Sequence, residues 1–94
     1  MLKRKTQHLE LEGTTYMVKE PTGSQLQEIL ECQDKGKRIE AAYTCLRYCL
    51  FGMDNSPIFA QSITSEQLMN DDISPSVATT VTQVAMGMVP PKKL

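Results

Sequence analysis

The sequence predicts an α+β fold in which an N-terminal β-hairpin packs on a small bundle of three to four helices. Three observations carry this reading. Residues near the N-terminus alternate apolar and polar around a glycine, which is strand periodicity. Helix-start signals then recur at Thr22, Thr64 and Ser74. Between them, Lys37 to Gly52 holds most of the bulky apolar side chains of the chain. The 94 residues are expected to form a single domain over 1–94, with the hairpin at 6–20, a helical part at 22–91 and short basic tails at 1–5 and 92–94.

The hairpin is read from Leu9 and Leu11 alternating with His8, Glu10 and Glu12, followed by Thr15-Tyr16-Met17-Val18-Lys19. Glu12-Gly13 supplies a residue able to take positive φ at a tight turn. Two strands alone are marginal, so one face must lie on a helix. Pro21 stops the second strand. Thr22 and Gln25 have the spacing of a capping box, opening a helix with Leu26, Ile29 and Leu30 inward and Gln27, Glu28 and Glu31 in water. Asp34-Lys35-Gly36 ends it.

The central helix, Lys37 to Gly52, places Ile39, Ala42, Tyr43, Cys45, Leu46, Cys49 and Leu50 on a sector wider than the ~100° stripe a half-wet helix needs. Only a wedge around Glu40, Thr44 and Arg47 reads as polar, so the helix is expected to be covered from more than one direction. Gly52 is its expected C-cap. The loop from Met53 to Ile63 carries Asp54-Asn55-Ser56-Pro57, with Ile58 and Phe59 expected to tuck onto the core. Thr64 and Gln67 form a second capping box before a short helix with Leu68 and Met69 inward. Ser74-Pro75 starts the last helix, with Val77, Val81, Val84, Ala85 and Met88 at helical spacing and Pro90-Pro91 closing it.

Charge and side-chain chemistry narrow the function. The net charge is −1, but half of the basic residues are Lys3, Arg4, Lys5, Lys92 and Lys93. Residues 6–91 keep five basic and all eleven acidic residues, a balance of −6. An acidic body argues against nucleic acid as the main partner. No run approaches the ~18 apolar residues of a membrane span. Three cysteines behind no secretory signal predict reduced thiols and a cytoplasmic location. Cys45 and Cys49 share a helix face, yet Cys32 and the single His8, on the polar side of a strand, do not complete a zinc set. No nucleophile–base arrangement, apolar carboxylate pair or phosphate-cradling glycine loop is present. The reading is therefore no catalytic residue, no metal, no cofactor and no enzyme. What remains is surface for binding. The uncharged stretch from Ile73 to Val89 and the hairpin edges are places for another chain to add, and Tyr48, Met86 and Met88 are the candidate partner-binding residues.

The order of these segments resembles a known family. A basic start, a strand, a glycine turn, the strand in TTYMVKEP, the helix beginning TGSQLQEIL and the inter-helix segment FGMDNSPIF are similar to the tail assembly chaperones of long-tailed, siphovirus-type bacteriophages. The resemblance implies a non-enzymatic protein that binds the helical tape measure protein, keeps it soluble and helps recruit tail tube subunits. It implies a place in the host cytoplasm and absence from the mature virion. In this family a longer form often arises by programmed ribosomal frameshifting, and Lys92-Lys93 can be encoded by a slippery run of adenines. Self-association fits a chaperone of an extended partner. The alternative reading is a small adaptor or regulatory module that dimerises through its C-terminal helix.

Overall fold

The structure, a computed structural model, describes residues 3–60 and 62–87. It has an antiparallel sheet in the order β1-β2-β3 with four helices packed on and beside it. β1 is Thr6–Leu11 and β2 is Thr14–Lys19, joined by a two-residue turn. Glu12 and Gly13 both take positive φ, 50° and 83°. That is the type I′ geometry whose twist matches the flanking strands, and glycine accepts the second position without steric cost. Gln7, Leu9 and Leu11 form the inner face of β1, while Thr6, His8 and Glu10 are exposed.

α1, Gly23–Asp34, begins with the expected reciprocal cap: Gln25 N–H donates to Thr22 Oγ1, and Thr22 N–H donates to Gln25 Oε1. Ile29 is its fully buried residue, whereas Leu30 is 43% exposed and does not join the core. Glu28 is half-buried, not in water, because Arg47 and Tyr48 both reach it. α2 is Arg38–Cys49 and contributes Ala41, Ala42, Tyr43, Cys45, Leu46 and Cys49 to the core. It packs against α1, α3 and α4 and so is covered from several sides, as its broad apolar sector predicts. Ile39, expected inside, sits in the first turn and is 52% exposed. Thr44, assigned from the wheel to the polar wedge, is 1% exposed.

The helix does not reach Gly52. Leu50 leaves the helical region at φ −90° and ψ 123°, and Leu50–Phe51 become β3, paired with Val18 and Met17. Pairing to a strand some thirty positions upstream overrides the helical periodicity of this segment. α3, Ser65–Met69, keeps the Thr64–Gln67 capping box. Its Leu68 is buried, but Met69 is 38% exposed because a five-residue helix has only one side against α2.

α4, Pro75–Ala85, starts on the Ser74 cap with proline at the first position. Ala78, Val81, Thr82, Val84 and Ala85 are buried. The helix ends earlier than the proline pair: Met86 caps it, and Gly87 turns left-handed at φ 72°. Val77 is only half-buried. Most of its apolar stripe packs against α2 and the hairpin, while Val77 stays partly open.

Candidate protein-binding surface

An open groove of about 470 Å³ runs between the turn end of the hairpin and the start of α4. Leu46 and Leu50, at the end of α2 and in β3, form its buried floor. Leu11 and Tyr16 from the hairpin line one wall, and Ile73 and Val77 the other. Ile58 and Phe59 close one end from the loop after β3. Ile58 N–H donates to the Leu50 carbonyl over 3.2 Å, and Gly52 N–H to the Ser56 carbonyl over 2.8 Å, so the loop is clipped to the sheet. That clip leaves Ile58 43% exposed instead of tucked into the core. On the far wall, Tyr43 O–H donates to the Ile73 carbonyl over 2.6 Å and fixes the entry to α4. Glu12 and Asp72 stand among the lining residues as carboxylates. Such a groove accepts apolar side chains, each gaining about 1.5–3 kcal/mol on full burial, and favours a basic neighbour beside them.

Tyr48 lies round the corner. It lines a depression of about 310 Å³ with Arg4, Arg47, Phe51, Pro57 and Phe59, and Phe59 belongs to the groove as well. Its ring is half-buried under the Arg47 guanidinium, 4.2 Å from the centroid, and its hydroxyl donates to Glu28 Oε1 over 2.7 Å. Burial, then the bond to the Glu28 carboxylate, raise the Tyr48 hydroxyl above its ordinary pKa, so it remains a donor. Lys19 places its ammonium 4.4 Å from the Phe51 centroid on the same side.

Met86 is half-buried and borders a separate depression with Lys5, Gln7 and Glu20. It has no lining residue in common with the Tyr48 depression, so the fold does not bring these two residues together. Met88 lies outside the described residues. Sequence reasoning missed the groove itself. Its one legible signal is the pair Ile58-Phe59 within a turn-rich segment, apolar residues where no helix or strand demands them.

The thiols are part of the packing. Cys45 Sγ lies 3.8 Å from Cys49 Sγ, and both are fully buried. The contact with Cys45, then burial, push the Cys49 thiol far up and keep it protonated. Cys32 Sγ stands 3.8 Å from Glu40 Oε2. Among the described residues no group of three or more His, Cys, Asp or Glu side chains is placed to hold a metal ion. Likewise no described helix is long and apolar enough to cross a membrane.

Comparison with known proteins gives a likeness among solved structures. No protein-family model matches the sequence, and no curated protein matches it either. Among solved structures, the tail assembly chaperone of bacteriophage HK97 superimposes with a TM-score of 0.70. The match covers 99% of this chain and 88% of that one at 18% identity. The chain therefore has the fold of a phage tail assembly chaperone.

Proposed function

We propose that this protein is a non-enzymatic tail assembly chaperone that binds the phage tape measure protein and helps recruit tail tube subunits. The observation that carries the reading is the likeness to the HK97 chaperone over nearly the whole chain. The groove supplies a physical means, because a long amphipathic rod can lay apolar side chains between the hairpin and α4. Its carboxylates and the acidic body select against acidic segments of the rod. Tyr48, joined to the groove through Phe59, is proposed as a second contact, and Met86 and Met88 as contacts on another side. Such a protein works in the host cytoplasm and is left out of the finished virion. A longer frameshifted form belongs to the same proposal; lysine codons at Lys92-Lys93 without a slippery run remove it.

Co-expression tests the function. A tape measure protein that aggregates alone should become soluble with this chain and co-purify with it. Ile58→Asp, at a position already 43% exposed, should preserve the fold and cut recovered complex at least several-fold. Tyr48→Glu and Met86→Glu divide the surface further. Failure of the wild-type chain to bind any segment of a tape measure protein overturns the proposal. Equal recovery with Ile58→Asp removes the groove from it.

A further inference from the structure

Positive charge converges beside Tyr48 on an otherwise acidic body. Residues 6–91 carry a balance of −6. Arg4 and Arg47 nevertheless line the depression of about 310 Å³ around Tyr48, and Lys19 sits over Phe51, another of its lining residues. No carboxylate is among those residues. Two stand close by, and both are engaged. Glu28 holds Arg47 and the Tyr48 hydroxyl, while Glu20 Oε1 accepts from the Lys5 N–H over 3.2 Å. Arg4 directs its Nε to an uncharged acceptor, the Glu20 carbonyl, over 2.6 Å. Among the described residues Arg47–Glu28 is the only ion pair, so Arg4 and Lys19 keep unanswered charge.

The walls decide what such cations can bind. Tyr48, Phe51, Pro57 and Phe59 make the depression partly apolar, which keeps water from a bound ion and strengthens its hydrogen bonds. A guanidinium presents paired donors to a carboxylate, and the Arg4 Nη groups meet no described acceptor. Phe59 also lines the groove, whose own charged groups are the carboxylates Glu12 and Asp72. Two hollows of opposite sign thus meet at one ring. A polyanion such as nucleic acid suits neither, because the acidic body repels its chain of phosphates.

We propose that the depression beside Tyr48 is a carboxylate-binding subsite, which takes an Asp or Glu side chain of a partner segment whose apolar side chains lie in the groove. Arg4 and Lys19 hold the carboxylate, and Tyr48, Phe51 and Phe59 shield it from water. Arg47 stays tied to Glu28 and Ser65 and supports the ring of Tyr48 from above. This subsite rests on the groove of the proposed function and gives its partner a polarity. An acidic residue is disfavoured beside Glu12 and Asp72 and favoured one hollow away, past Phe59. The bound segment therefore runs from neutral or basic at the groove to acidic at the depression.

Titration of the isotope-labelled full chain with synthetic peptides, followed by NMR, is the test. The peptides share a leucine-rich amphipathic helix and carry a pair of Glu, Gln or Lys residues, placed first or last. In one of the two placements the Glu peptide should bind several-fold tighter than its Gln counterpart, and the Lys peptide weakest. That advantage should shrink as salt rises, and the amides of Tyr48, Phe51 and Phe59 should shift with it. Arg4→Gln with Lys19→Gln should abolish the preference while circular dichroism is unchanged. The salt dependence of the wild-type chain stands even if that variant fails to fold. Equal binding of Glu and Gln peptides overturns the proposal, as does a preference that survives in the folded double variant. So does tighter binding of a short oligothymidylate, or no binding of any peptide up to millimolar concentration. The two readings fail separately. A tape measure protein that does not co-purify, with the Glu preference intact, removes the tape measure reading and leaves the subsite; co-purification without the preference does the reverse.

Discussion

α2 is buried on two sides that are built from different chemistry. Toward α4 it presents small and apolar residues. Thr82 Oγ1 donates to the Ala78 carbonyl over 2.8 Å and lies 3.3 Å from the Ala42 carbonyl, so the backbones approach across alanines. Toward α1 and α3 the same helix presents a chain of hydrogen bonds. Thr44 O–H donates to the Glu40 carbonyl over 2.8 Å, which leaves Ser65 as the donor in its 2.6 Å bond to Thr44. Ser65 in turn accepts from Arg47 Nε over 3.1 Å, and Arg47 Nη2 reaches Glu28 Oε2 over 2.9 Å. Every hydroxyl hydrogen in this relay has a single assignment. The contrast suggests a division of roles to test: packing against α4 for stability, and the relay for how α1 and α3 are oriented around α2.

Substitutions can break that contrast, and the largest effect is expected on the apolar side. Leu46→Ala removes a side chain with no exposed surface and should cost about 3 kcal/mol, read as a lower urea midpoint at constant slope. A loss under about 1 kcal/mol would mean that the floor of the groove collapses to fill the space. Ser65→Ala leaves the Thr44 oxygen without its donor and Arg47 without one acceptor, for an expected loss of about 1–2 kcal/mol. If that loss matched the Leu46 variant, the relay would be as important as the packing. Glu28→Gln keeps an acceptor for Tyr48 and removes only the charge facing Arg47. Since the Glu28 side chain is 44% exposed, the expected change is under about 1 kcal/mol and should shrink further in salt.

The division also explains what could be read from the sequence. Local chemistry was legible: the caps at Thr22, Thr64 and Ser74 and the Glu12-Gly13 turn depend on residues within four positions of one another, and each stands as expected. Features set by distant partners were not. Leu50 and Phe51 have helix-compatible spacing, yet Val18 and Met17 claim them for the sheet. Thr44 reads as a surface residue until Ser65 covers it, and Ile39 and Leu30 read as core until no element reaches them. Gly87 ends α4 before the proline pair, a signal present in the sequence and outweighed by the apolar period. The groove joins the hairpin, the α2–β3 junction, the 53–60 loop and the entry to α4, so no window along the chain contains it.

The direct passage from α2 into β3 has a mechanical consequence. No loop separates Cys49 from Leu50, so the helix and the sheet are one stiff lever, and Leu46 and Leu50 on either side of the joint floor the groove together. Rotating that floor would shear the pairing of Leu50 and Phe51 with β2. The end wall joins Ile58, held by its hydrogen bond to Leu50, to Phe59, which packs partly buried against the core. The depth of the groove is thus set by the α2–β3 joint, and its length by the 53–60 loop.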